Sequence, residues 1–502
     1  MPDLEYLKKT SWEKFVFNLT QFFKSIPIAI WTFLKAIPLT IWKGLKKIGG
    51  IFATLGHAMK HGDWKTRTSF FVMGFGQLTR KQIMRGILYL GFQILYILFM
   101  VFFGWKYLAK LGSLGEIAMV EEWDDNIGAY VYHYYDNSLL ILLYSMVTIF
   151  ISLAFIYTWY MSVKTSMNGQ EILEIGKTLP DAKADVRSLL DDQYYKTLLA
   201  IPIIGLVVFT VLPIVFMILI AFTNFDATHM PPSKLFSWVG IENFVNVLGG
   251  GIAADSKKFA FTFGGVLLWT LIWAFFATFT NYVLGMVVAL LINKKGIKFK
   301  KLWRTILILT VAVPQFVSLM LMSQMLTETG VINRLLINWG LIQEPLPFLT
   351  NTTWARCTII IVNIWIGIPF TMLICTGLLM NIPADLYESA RIDGASPFKM
   401  YMKITLPYML HVTTPYLITQ FVGNINNFNV IFLLSGGYPA SLDYMYAGET
   451  DLLITWLYKL TFSESNYKVA SVIGILTFVV VGVISLLVYN NSGSVKNEEE
   501  FM

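Results

Sequence analysis

The chain has 502 residues, of which 56% are hydrophobic and only 14% charged, with a mean hydropathy of +0.61 and a formal net charge of +7. That balance is too apolar for a soluble multidomain enzyme, and recurring apolar runs of roughly 20 residues indicate an all-α polytopic membrane protein. The alternating segments of a membrane β-barrel do not occur, and the positive charge is distributed as a topology signal rather than as a nucleic-acid footprint.

Residues 1–82 come first, a basic and aromatic segment without a span. The start MPDLEYLKKTSWEK leads into no short apolar run with a small-residue cleavage site. No cleavable signal peptide is therefore expected, and the first span serves as its own insertion signal. An eleven-residue repeat runs through Phe23-Lys24-Ser25-Ile26-Pro27, Leu34-Lys35-Ala36-Ile37-Pro38 and Leu45-Lys46-Lys47-Ile48-Gly49. Eleven residues are close to three helical turns, which stacks Lys24, Lys35 and Lys46 on one stripe. Such a stripe suits an interfacial helix on anionic lipid; a loosely ordered basic leader that only enforces topology is the alternative. His57 and His61 lie four apart without a third ligand nearby, so two solvated histidines on a basic helix account for them.

Eight spans follow, at about 86–108, 138–163, 198–223, 264–292, 304–327, 356–381, 410–436 and 467–489. The first two, with a linker, form an accessory zone at 83–197. The other six form a core at 198–489, and 490–502 is a tail. With the N-terminus in the cytoplasm, the inner segments hold 29 of the 38 Lys and Arg, six of them in NKKGIKFKKLWR (293–304). The positive-inside bias thus places both termini in the cytoplasm and the acidic EEWDDN (121–126) outside. Between the third and fourth spans the outer loop, about 224–262, is too short for a sizeable domain. Cys357 and Cys375 sit in one span, eighteen residues or about 27 Å apart, and cannot pair.

No catalytic constellation is evident. EILEIGKT (171–178) has Glu171 where a phosphate-cradling loop would begin with glycine. The spans lack the buried acids and arginines of a proton-coupled carrier. Energy must come from a partner, which directs attention to the polar interruption YESARIDGASPFKMYMKITLP (387–407). Ala384 to Asp393 can form a short helix with Asp385 and Glu388 near its N-terminus. Gly394 fits the C′ position, Ser396-Pro397 reads as N-cap and N1 of a second short helix, and Leu406-Pro407 is expected to end it. Physically this is either a rigid elbow presenting a face to the cytoplasm or a re-entry loop spacing two spans.

The pattern Glu388-Ser389-Ala390, Gly394, Ile404-Thr405-Leu406-Pro407 resembles the "EAA" signature of ATP-binding-cassette importer permeases, with Ser389 where the family usually has alanine. The resemblance implies a six-helix type I permease core and a coupling helix docked in a cytoplasmic ATPase. It assigns coupling to Glu388, Ser389, Ala390, Asp393, Gly394, Ala395, Ile404, Leu406 and Pro407. NIWIGIPF (363–370), TQFVGNINNFNVIFLLSGG (419–437) and AGETDLL (447–453) are similar to the F-type permease subunit of maltose and maltodextrin importers. Similarity of that kind implies that this chain binds no cofactor, ATP-Mg being held by two ATPase subunits. It further implies a second, G-type permease and an extracellular solute-binding lipoprotein in the bacterial plasma membrane. The large outer domain of the enterobacterial protein is missing here.

Sugar contacts implied by the same motifs are Ile366, Gly367 and Phe370 in the sixth span, and Gln420, Gly423, Asn424 and Asn427 in the seventh. Gln420, Asn424 and Asn427, spaced four and then three, are expected on one helical face, where amides can bond sugar hydroxyls. Interhelical hydrogen bonding is the alternative for the asparagines, and core packing for Phe370. Another cargo on the same machine, an ATP-independent carrier or channel, and a non-transporting scaffold are the competing functions.

Overall fold

Within lipid each backbone polar group must be satisfied inside its own segment, so the long apolar runs have to form helices. The computed structural model describes residues 42–44, 46–47, 49–252, 255–294 and 296–491, with the side chains of 487–491 excepted. Most of the eleven-residue repeat and the tail beyond 491 lie outside the described residues. Among the described residues six helices are long and apolar enough to cross a bilayer. Two bent pairs raise the number to eight if each pair is one span. Two compact units divide the chain, the first ending at Gly240 and the second beginning at Ile241.

The first unit holds three long helices: α1 (Ile83–Leu108), α2 (Ser138–Glu174) and α3 (Tyr194–Ile220). Between α1 and α2 lies an antiparallel hairpin, β1 (Val120–Asp124) and β2 (Ala129–His133), in a stretch expected to be only loop. Helix α2 runs eleven residues past the expected end of its span. Onto that extension pack residues 58–80, with Ala58 buried against Val163 and Met167. Arg80 organises the contact, its side chain only 3% exposed. It donates to Asp63 Oδ1 at 2.6 Å, Thr66 Oγ1 at 2.8 Å, and Ser166 Oγ and O at 2.8 and 3.0 Å. Burial alone would raise the Asp63 carboxyl, but the Thr66 N–H and hydroxyl together with Arg80 hold it below its ordinary 3.8. A carboxyl lowered on folding stabilises above its ordinary value, and the contribution is lost as pH falls below it. Arg80 is buried but Asp63 is 35% exposed, so removing the arginine costs less than for a fully buried pair, on the order of 1–2 kcal/mol. Arg80→Ala should therefore speed tryptic cleavage at Lys60, Lys65 and Arg67 severalfold, whereas unchanged cleavage would mean the cluster does not hold the segment.

The second unit is built on α4 (Ser256–Asn293), which meets α7 (Thr352–Leu379) and α9 (Pro397–Ile425). Tyr282, Met286, Met372, Cys375 and Met409 form one apolar layer between these three helices. A second layer packs Trp269, Trp273, Leu319, Ile359 and Val430 around α4, α6 (Gln315–Met325), α7 and α10 (Phe428–Leu434). The loop Ala447-Gly448-Glu449-Thr450-Asp451 is held from inside. Asp451 accepts from the Gly448 N–H at 2.7 Å and pairs with Lys459 of α11 (Leu453–Phe462) at 2.6 Å. Burial pushes the Asp451 carboxyl up, with Lys459 acting against it. Helix α12 (Tyr467–Asn491) completes the unit.

Two expected helices are not continuous. The span 304–327 is α5 (Lys300–Ala312) and α6, meeting at an 87° bend. Val313 precedes Pro314, which disfavours its helical conformation and lacks an N–H to donate, and Val313 is extended at ψ 128°. No residue of α5 is buried within this chain. The seventh span is broken by 40° after Ile425, which separates α9 from α10.

Candidate functional site

A cavity of about 70 Å³ lies where α4, α7 and α9 converge. Its wall is Ala277, Thr278, Asn281 and Tyr282 from α4, Gly367, Phe370 and Thr371 from α7, and Tyr416, Leu417 and Gln420 from α9. None of these side chains is charged, so the lining offers hydroxyls, amides and rings. Asn281 Oδ1 is buried without a protein hydrogen-bond partner, and so is Asn363 Nδ2 one turn from Gly367. An unsatisfied buried amide costs about 1–3 kcal/mol, a cost a bound hydroxyl group can relieve. The volume is far below the roughly 300 Å³ at which small-molecule sites begin. The cavity is therefore too small on its own to enclose an oligosaccharide.

The expected sugar contacts divide into two sets. Gly367, Phe370 and Gln420 line the cavity. Ile366 instead packs against the Trp269–Trp273 layer. A Cβ on Gly423 would meet nothing within 4 Å. Asn424 Nδ2 donates to Thr278 Oγ1 at 2.9 Å, and the Asn424 main-chain carbonyl oxygen accepts from Trp273 Nε1 at 3.0 Å. Asn427 donates to Asn424 Oδ1 at 3.4 Å, and its own Oδ1 accepts the Val430 N–H at 3.3 Å as the N-cap of α10. The single helical face expected for Gln420, Asn424 and Asn427 does not exist, because α9 ends at Ile425. Losing an N-cap costs about 1 kcal/mol, so Asn427→Ala should lower uptake severalfold and Asn427→Ser should restore it. Equal loss in both variants would make the amide a ligand rather than a cap.

Asn281, Tyr282 and Tyr416 were not singled out from sequence. Asn281, the one amide in the apolar middle of α4, three residues from Thr278, was the available signal.

The polar interruption forms the elbow. Helix α8 (Ala384–Ile392) ends on Gly394 at φ +72°, with the Gly394 N–H donating to Arg391 O at 3.0 Å and the Ala395 N–H to Ala390 O at 2.9 Å. This pair of bonds is the Schellman arrangement, which needs a left-handed residue at C′. Ser396 caps the next helix by accepting the Lys399 N–H at 3.4 Å, with Pro397 at N1. Tyr387 is hydrogen-bonded to the buried Thr405 hydroxyl at 2.8 Å, which ties α8 back onto α9. Glu388, Ser389, Asp393 and Gly394 are exposed, Ala390 and Ala395 half-buried. Ile392 and Phe398 project from the elbow at 87% and 73% exposure.

Leu406-Pro407 does not stop the second helix. A π-type turn at Tyr401–Thr405 carries the Leu406 N–H to Tyr401 O, and the helix continues unbroken to Ile425. The wider turn gives the backbone room for a proline that cannot donate. Ile404 and Leu406 are half-buried along this stretch, and Pro407 is exposed.

Comparison with known proteins covers both features. The family model "Binding-protein-dependent transport system inner membrane component" matches residues 281–493. The galactooligosaccharides transport system permease protein GanP of Bacillus subtilis (strain 168) is 34% identical over 430 residues, 85% of this chain and 97% of the relative. The maltodextrin transport system permease protein MdxF of the same organism is 32% identical over 440 residues, 85% and 95% of the two chains. A crystal structure of a bacterial alginate ABC transporter in complex with alginate pentasaccharide-bound periplasmic protein is similar in fold. There the TM-score is 0.50 at 24% identity, over 62% of this chain and 97% of that one.

Proposed function

The chain belongs to the family of binding-protein-dependent transport system inner membrane components, and from that premise we propose that it forms half of the pore of an ATP-driven importer of neutral, maltodextrin-type oligosaccharides. The observation that carries this reading is the exposed helix–glycine–helix elbow, fixed by two cap bonds between α7 and α9. Its exposed face is the coupling surface for one of two cytoplasmic ABC ATPase subunits, which hold ATP-Mg. A second, homologous permease supplies the other wall of the sugar path and covers the unburied α5. An extracellular solute-binding lipoprotein delivers the cargo. Both termini and the elbow lie in the cytoplasm, and the β1–β2 hairpin outside, in keeping with the charge distribution. Residues 1–82 form an interfacial segment, 83–197 an accessory zone, 198–489 the permease core with its elbow at 384–407, and 490–502 a tail.

Asn281, Gln420, Thr278 and Thr371 bond sugar hydroxyls, while Phe370, Tyr282 and Tyr416 meet the apolar faces of the rings. The uncharged lining fits a neutral sugar and gives a uronate or phosphate no cation. Ile366, Gly423, Asn424 and Asn427 join the site only if the helices rearrange during transport. ATP closes the ATPase dimer, the elbow transmits the motion to α9, and the cavity opens alternately outward and inward.

Galactooligosaccharides are the second reading, supported by the 34% identical relative. The test is ATP hydrolysis by the reconstituted complex, with its binding protein, across maltodextrin and galactooligosaccharide length series. Stimulation by maltodextrins is expected. Stimulation by galactooligosaccharides alone would replace the cargo, and sugar uptake by this chain without ATPase subunits would overturn the mechanism.

A further inference from the structure

A cavity of about 610 Å³ opens between α1, α2 and the start of α3, wholly within the first unit. Arg85 and Tyr89 of α1, Lys164 and Asn168 of α2, and Gln193 and Lys196 at α3 form its polar wall. Oligosaccharide transport makes no use of it. An adjoining pocket of about 180 Å³ shares Arg85, Leu88 and Gln193 and is walled by Met84, Val186 and Leu189.

Two of the three charges around the cavity, Arg85 and Lys196, have the wrong sign for their place in the helix. The first turns of α1 and α3 contain Arg85 and Lys196 and no acid, although a helix N-terminus disfavours cations. Arg85 is already met by Asp185, in two hydrogen bonds of 2.5 Å. Lys164 stands over the Tyr160 ring, and Lys196 donates to the Gln193 amide oxygen at 2.8 Å. Neither lysine is in an ion pair among the described residues. A general need for cytoplasmic positive charge would be met anywhere in these segments and does not explain their convergence. An anion seated among them answers both lysines.

We propose that this cavity binds the phosphodiester headgroup of an anionic phospholipid, with an acyl chain against the Met84–Leu189 pocket. Basic pockets between spans on the cytoplasmic side suit such headgroups. The lipid cements α1 and α2 to α3. The inference rests on the cytoplasmic assignment of these helix ends and not on the identity of the cargo.

Native mass spectrometry of the purified importer complex, titrated with phosphatidylglycerol or phosphatidylcholine, tests the proposal. Wild type should retain phosphatidylglycerol in preference to phosphatidylcholine, and millimolar inorganic phosphate should not displace it. Lys164→Gln with Lys196→Gln should weaken phosphatidylglycerol retention roughly tenfold or more. The exposed Lys183→Gln, outside both pockets, should leave it unchanged. Equal retention by the double variant, or equal retention of both lipids, would overturn the site. Displacement by inorganic phosphate would make the occupant a free anion and overturn the lipid.

Discussion

Gly394→Val is expected to lower ATP-driven uptake and ATPase co-purification by about tenfold or more while the chain stays in the membrane. A Cβ at this position would meet nothing within 4 Å, so crowding is not the cause. The cause is backbone conformation: φ is +72°, and an L-residue in the left-handed region pays about 1–2 kcal/mol, more when β-branched. Relief of that strain requires breaking the bonds from the Gly394 and Ala395 N–H groups that end α8. Helix α8 would then lose its fixed angle to the helix that Ser396 caps, and with it the placement of the exposed Ile392 relative to Phe398. Each 1.4 kcal/mol is a factor of ten in the docking-competent population. Asn tolerates the left-handed region better than other L-residues, so uptake should fall in the order Gly, Asn, Ala, Val. If Gly394→Val co-purifies normally with the ATPase, the elbow is not the coupling element.

The elbow was legible in the sequence because its determinants are local. Gly394 and Pro397 set the backbone at their own positions, Ser396 caps the helix three residues on, and each acts in the structure as its chemistry dictates. The long spans were legible for a similar reason, since a run of apolar residues in lipid has no alternative to a helix. Breaks inside the spans were harder to read. Pro314 was visible, yet membrane helices tolerate proline when neighbours satisfy the freed groups, and only the structure shows an 87° bend there. Pro407 behaves in the opposite way, because the π-type turn before it lets the helix pass. Asn424 and Asn427 were read on one continuous helix, and the break after Ile425 turns the second into a cap for α10. The cavity wall was legible only in part. Asn281 reaches it because α4 crosses α7 at Gly367, a long-range contact that no local spacing encodes.

That crossing gives the second large effect. A Cβ on Gly367 would lie 2.2 Å from Asn281 Nδ2 and 2.6 Å from its Cγ, distances that no Cβ tolerates. The open space beside Asn281 is the cavity that it lines with Thr278, Phe370 and Gln420, so its amide can give way only by entering that cavity. Gly367→Val must therefore fill the cavity or push α4 from α7, and overpacking of this kind costs about 1–3 kcal/mol. Sugar-stimulated ATP hydrolysis and uptake should fall by at least about tenfold. Unstimulated hydrolysis should persist, because the elbow and its cap bonds lie beyond the end of α7. Gly423→Val is the discriminating comparison, since resemblance places both glycines at the sugar while a Cβ at Gly423 meets open space. If the cavity between α4, α7 and α9 is the sugar path, Gly367→Val is severe and Gly423→Val mild. Equal, severe loss from both would move the path toward the Asn424 side of α9, and a fully active Gly367→Val would remove this cavity from the route altogether.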